Sequence, residues 1–147
     1  MSLCFHDQLL QTAHAYLNAH NDRDISSIRA LCDQKSVHRA GPLVVKSPDR
    51  TNGEHVNFNE EVFKVLHTYH ATITDVVANE VRKKVVLYVD ARATADADEY
   101  ENEYVITLAM TEDGERVVGQ YDFIDSQRMT EWIGRMGEFA REMWEKK

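Results

Sequence analysis

The chain has 147 residues, 43% of them hydrophobic and 29% charged, with a formal net charge of −8. That length and apolar content suit a single domain over 1–147 with a core of its own. The acidic balance argues against nucleic acid, whose phosphates need a basic surface, and against docking on anionic membrane.

No apolar run approaches the ~20 residues of a spanning helix. His6, Asp7 and Gln8 interrupt the start too early for a signal peptide, so a cytoplasmic protein is expected. The two cysteines, Cys4 and Cys32, fall in predicted helices without metal-ligand spacing and read as free thiols in a reducing compartment.

A first helix is predicted from Leu3 to Asn21, because Phe5, Leu9, Leu10, Ala13, Tyr16 and Leu17 recur at helical spacing; Ser2 is placed to cap it. Asp24 is a good N-cap for a short second helix whose Ile25, Ile28 and Leu31 share a face. Residues 36–45 read as a short strand, a break at Gly41-Pro42 and an extended return, and 47–53 as loop. A third helix follows over about 54–69, with Val56, Glu60, Phe63 and His67 on one side and Val62, Leu66 and Tyr69 beside them.

From Ala71 the apolar period changes to two, which marks strands. Ala71–Ala78 is one strand and Lys84–Thr94 the next. In the latter Val85, Leu87, Val89 and Ala91 oppose Val86, Tyr88, Asp90 and Arg92. The stretch from Glu99 to Asp125 then gives two strands rich in Val, Ile, Tyr and Phe around Asp113-Gly114, a strong turn signal, and these two should lie mid-sheet. Asp125-Ser126 caps a last helix with one apolar stripe: Met129, Trp132, Ile133, Met136, Phe139, Ala140, Met143 and Trp144. The sheet face is the one large apolar surface such a stripe has to cover.

The expected fold is therefore α+β: a curved antiparallel sheet wrapped around N-terminal helices as a cone, with a C-terminal helix packed on it and a pocket inside. This order of elements resembles the nuclear-transport-factor-2-like cone fold. Within it the chain is similar to the SnoaL-like family, particularly its small fungal members. The residues that carry the likeness are Tyr100-Glu-Asn-Glu-Tyr104, Glu112-Asp-Gly114, Tyr121-Asp-Phe-Ile-Asp-Ser126 and Val37-His38 followed by Pro42. Some members cyclise or isomerise polyketides and meroterpenoids without a cofactor, and others have no known activity. Asp122 stands where relatives often carry Glu.

Cofactor-free proton transfer needs an acid and a base exposed to bound substrate, and burial tunes a carboxyl toward neutral pH. Asp122 shares a strand face with Gln120 and Ile124, opposite Tyr121 and Phe123, and is one expected proton carrier. His38, before the Gly-Pro break, is the other, since imidazole titrates near neutrality. Tyr104 and Asn102 sit on an otherwise apolar face with Ile106, Leu108 and Met110 and suit orienting a substrate carbonyl. Phe63, His67 and Tyr88 are further expected substrate contacts.

Glu101 and Glu103 fall on the opposite face, where one is expected to pair with Arg92. His67 and His70 stand three apart with no third ligand closely spaced, so no metal site is expected. There is no nucleophile elbow, phosphate loop or dinucleotide fingerprint, and no cofactor is expected.

The function expected is a cofactor-free isomerase or cyclase acting on a small apolar natural product. The alternatives are a non-catalytic binding or scaffold protein, and a hydrolase or dehydratase. Apolar residues on both faces of the Lys84–Thr94 strand predict a homodimer through the outer sheet face.

Overall fold

The computed structural model describes residues 3–96 and 99–132. Helix α1 spans Phe5–Asn21 and buries Leu9, Ala13, Tyr16 and Leu17, the face marked by the apolar spacing. Cys4 takes the N-cap position without a side-chain cap bond; Ser2 lies outside the described residues. Helix α2, Ile25–Ala30, is started by Asp24, whose carboxylate accepts from the Ser27 backbone N–H at 3.1 Å and the Ser27 hydroxyl at 2.7 Å.

Strand β1 runs over Cys32–Gly41 and ends at a cis Gly41-Pro42 bond. The extended return expected there is a 3₁₀ turn, Leu43–Val45. After the two-residue strand β2, Arg50–Thr51, comes α3, Asn52–Val65. It begins two residues earlier than expected because Thr51 and Glu54 form a reciprocal capping box. It also ends four residues earlier. Residues 66–70 join β3, Leu66–Asn79, which pairs along its length with β4, Lys84–Ala95. The propensities of His67, Thr68, Tyr69 and His70 are indifferent to helix, and the cross-strand ladder decides them.

Strands β5, Glu99–Met110, and β6, Val117–Ile124, complete a six-stranded sheet in the order β2-β1-β6-β5-β4-β3. The hairpin from Glu99 to Asp125 is thus central. From β3 to β6 the pairing is antiparallel as expected. Strand β1, however, lies parallel to β6, with Arg39 opposite Tyr121 and Ala40 opposite Asp122, so the sheet is mixed. The long path from β1 through α3 and β3–β5 makes that parallel join possible.

Helix α1 packs on β3 and β4, and α3 on β1 and β3. Leu9, Ile28, Val56, Val85, Leu87, Leu108 and Val117 meet between helices and sheet with no exposed surface, each contributing roughly 1.5–3 kcal/mol. The hairpin turn is tied to α1 at Gly114, whose carbonyl accepts from the Thr12 hydroxyl at 2.5 Å. A last helix, α4, is described over 126–132, with Asp125 Oδ1 accepting from the backbone N–H groups of Gln127 and Arg128. Met129 is buried, and Trp132 lies edge-on to Tyr100, 4.8 Å between ring centroids. The rest of the expected stripe, from Ile133 to Trp144, lies outside the described residues.

Candidate active site

Between the helices and the sheet lies a cavity of about 170 Å³. Strand β1 brings His38 and Ala40 to it, β2 brings Arg50, and β6 brings Gln120, Asp122 and Ile124. Helix α1 adds Tyr16 and His20, while α3 adds His55, Asn59 and Phe63; Tyr69 and Tyr104 come from β3 and β5. The walls are largely apolar and aromatic, with the polar groups concentrated where β1, β6, α1 and α3 meet.

Asp122 reaches the cavity because alternation along β6 turns it inward with Gln120 and Ile124, while Tyr121 and Phe123 face out, 41% and 48% exposed. It is encased by neighbours yet keeps some accessible surface, as a wall residue of a cavity does. Burial raises its pKa to about 6, against a smaller opposing effect of the hydrogen bond from Gln120 Nε2 to its Oδ1, 2.8 Å. Tyr16, Tyr69 and Tyr104 are all driven upward, first by burial and further by the Asp122 charge. Near neutral pH these phenols are donors rather than anions.

Gln120 joins Asp122 to the imidazoles. Its Oε1 accepts from the Tyr16 hydroxyl in a short contact and lies 3.0 Å from His38 Nδ1. The Tyr16 hydroxyl is 3.1 Å from His55 Nε2, which also lies 3.1 Å from Asn59 Nδ2. His38 and His55 stack, and His20 adjoins them. Burial lowers the pKa of all three, that of His20 to about 4 and that of His55 well below the usual imidazole range. The cavity therefore holds neutral imidazoles beside a carboxyl poised between its two forms.

Of the residues expected at the site, Asp122, His38, Tyr104 and Phe63 line the cavity. Asn102 does not. It is buried and fully engaged, donating to the Tyr100 hydroxyl at 2.5 Å and to the Asp125 carbonyl, and accepting from the Glu103 N–H at 2.7 Å. The Tyr100 hydroxyl in turn meets that of Tyr104 at 2.8 Å, so Asn102 braces a cavity residue and does not itself line the cavity.

His67 lies away from the cavity because it belongs to β3, not to α3. It is exposed and contacts Asp96. Tyr88 also lies away, 41% exposed on the outer sheet face, since Leu87 takes the inward position. The pairing of Arg92 with Glu101 is present at 2.8 Å. Among the described residues no three His, Cys, Asp or Glu side chains are grouped to hold a metal ion.

Tyr16, His20, Arg50, His55, Asn59 and Gln120 were not expected at the site. Their signal is polar residues at core-facing helical spacing: Asn52, His55 and Asn59 with Val56 form the buried face of α3, and Tyr16 and His20 stand one turn apart on α1. Gln120 was legible as a face-mate of Asp122.

An open mixed sheet curved over helices around an interior cavity is the nuclear-transport-factor-2-like cone fold. The chain is similar to proteins of fungal biosynthesis clusters and, in fold, to SnoaL-like proteins. The chain is 26% identical over 136 residues to the austinoid biosynthesis clusters protein S of Penicillium brasilianum, covering 90% of this chain and 93% of that one. Its fold matches BvnE pinacolase from Penicillium brevicompactum with a TM-score of 0.87 at 23% identity, over 90% of this chain and 96% of that one. A protein of Shewanella denitrificans assigned as a SnoaL-like polyketide cyclase matches with a TM-score of 0.73 at 15% identity, over 84% and 94%. No family model matches the chain.

Proposed function

We propose that the protein is a cofactor-free isomerase or cyclase that moves a proton on a small, largely apolar natural product of polyketide or meroterpenoid type. The observation that carries this is Asp122, a carboxyl on the cavity wall with its pKa raised to about 6 by burial. A group with that pKa exchanges protons efficiently near neutrality. Asp122 acts as the general base and His38 as the second proton carrier, while the Tyr104 hydroxyl orients a substrate oxygen and Phe63 packs on the carbon skeleton.

Relatives named for austinoid biosynthesis clusters, and fold neighbours named as a pinacolase and a polyketide cyclase, support a catalytic role in secondary metabolism. The cavity of about 170 Å³ is smaller than the ~300–1,000 Å³ typical around drug-sized ligands. It suits the reacting end of a polycyclic molecule rather than the whole of it. We also propose a cytosolic homodimer joined through the outer sheet face, where Tyr88 and Phe123 are exposed.

The test is to delete the gene in its source organism and incubate the metabolite that accumulates with purified protein. An isomerase or cyclase returns a product of unchanged mass, and the Asp122→Asn variant leaves the metabolite untouched. A gain or loss of one water overturns the reading in favour of a hydrolase or dehydratase. Binding without conversion overturns it in favour of a carrier or scaffold.

A further inference from the structure

The Gln120 side chain stands between Asp122 and His38, and its two ends face different chemistry. A carboxylate oxygen only accepts hydrogen bonds, so the 2.8 Å contact with Asp122 Oδ1 requires the Gln120 amide N–H there. That orientation leaves Oε1 toward Tyr16 and His38. An amide oxygen also only accepts, so the 3.0 Å contact with His38 Nδ1 requires the ring proton on Nδ1. On the other side of the ring Nε2 is buried and lacks a well-formed hydrogen bond, as does Oδ1 of Asn52, which is close enough to favour the charged ring.

From this chain of donors and acceptors we infer that Gln120 is a positioning residue that ties the charge on Asp122 to the tautomer of His38. Ionised Asp122 fixes the amide, and the amide fixes His38 as the Nδ1–H form, so that a proton taken up by the ring arrives at Nε2. There Asn52 Oδ1 is the acceptor at hand. When Asp122 is protonated it can donate as well as accept, so it no longer holds the amide in one orientation, and the constraint on His38 is loosened.

The groups facing this relay are Tyr16 and His20 on α1, Arg50 on β2, Asn52, His55 and Asn59 on α3, Tyr69 on β3 and Tyr104 on β5. The imidazoles among them have pKa values lowered by burial and the phenols have theirs raised. Asp122, its pKa raised to about 6, changes charge around that pH, while burial lowers the pKa of His38 itself.

The relevance of this relay to turnover rests on the acid–base reading above. Its test needs no substrate, so the two fail separately. Nitrogen-15 NMR of ring-labelled full-length protein at pH 7.5 should show His38 with Nδ1 protonated and Nε2 bare. Gln120→Met keeps the length of the side chain and removes both hydrogen bonds, and Asp122→Ala keeps Gln120 but releases its amide. In each variant His38 should lose its Nδ1–H preference while the spectrum elsewhere remains that of the folded protein. If Gln120→Met fails to fold, the wild type and Asp122→Ala decide. Wild-type His38 found as Nε2–H, or an Nδ1–H form unchanged in Asp122→Ala, overturns the inference.

Discussion

The rings of His38 and His55 lie face to face, 3.8 Å between centroids and 4° from parallel. Two imidazoles that close and that buried disfavour charge on either one, and both have their pKa lowered, chiefly by desolvation. His20 follows the same pattern, down to about 4. A histidine whose pKa falls on folding binds fewer protons when native, so its contribution to stability is present above its unfolded pKa near 6.5 and is lost as the pH falls toward its folded value. Asp122 has the opposite sign. With its pKa raised to about 6, the native state binds more protons than the unfolded one between about 4 and 6, and stability falls as the pH rises through that range. Three histidines against one carboxyl leave a net loss of stability on acidification. Urea midpoints should be lower at pH 5 than at pH 7, and His20→Gln should flatten the difference. A midpoint that rises at pH 5 contradicts this.

Asp122 and Gln120 carry the prediction on activity. The Gln120 N–H favours the ionised carboxylate, which suits a general base. Turnover should fall as the pH drops below about 6, the pKa of Asp122. Asp122→Asn should lower kcat by ~10²–10⁴-fold with an unchanged circular dichroism spectrum. Full activity in that variant removes Asp122 from the mechanism.

Gly114 holds the turn between β5 and β6 at φ +72°, and a Cβ there would sit 3.0 Å from the Phe5 ring and 3.4 Å from Leu9. A side chain meets both backbone strain and crowding against α1. Gly114→Ala should cost ~1–3 kcal/mol, read as a fall in the urea midpoint at constant slope. No change would mean that the turn relaxes.

Leu87 and Tyr88 are neighbours on β4 with opposite environments, Leu87 fully buried and Tyr88 41% exposed. Leu87→Ala enlarges the cavity and should cost ~2–5 kcal/mol. Tyr88→Ala removes a side chain that is 41% exposed within one chain and should cost less, ~1 kcal/mol, by a probe of the monomer. Equal effects of the two would contradict the facing of β4.

The outer sheet face also offers the test of assembly. Light scattering at micromolar concentration should give twice the chain mass, and Phe123→Asp should halve it by burying a charge in the contact. A wild-type monomer rejects the dimer.

Much of the candidate site was readable before the structure. Asp122 and Tyr104 were placed by strand alternation, His38 by its position before the Gly-Pro break and the family likeness, and Phe63 by its side of the third helix, and all four line the cavity. Tyr88 was ambiguous because both faces of β4 carry apolar or aromatic residues, and nothing local says which face the helices cover. His67 was misplaced because its helical spacing after Phe63 is real, but the strand pairing of Leu66–Asn79 overrides it. Asn102 was on the right face, yet its hydrogen-bond capacity is taken up by Tyr100, Asp125 and Glu103, contacts between residues that sequence spacing does not reveal.

By itself the sequence determined the local order of this protein. The apolar period of α1, the Asp24 cap, the clean alternation of β4 and the Asp113-Gly114 turn are all short-range features, and each is written in neighbouring residues. It also determined which side chains of β6 share a face, because that follows from the pleat alone. Only the tertiary structure decided that β1 lies parallel to β6, that α3 yields to β3 at Leu66, and that Tyr16, His20, His38, His55 and Gln120 converge. Those outcomes depend on hydrogen bonds and burial between segments as much as 104 positions apart, as from Tyr16 to Gln120. The same is true of the carboxyl at the centre. Asp122 is an ordinary acid in the sequence, and only enclosure by α1, α3 and the sheet, which strips it of water, raises its pKa into the range where it can exchange a proton near neutral pH.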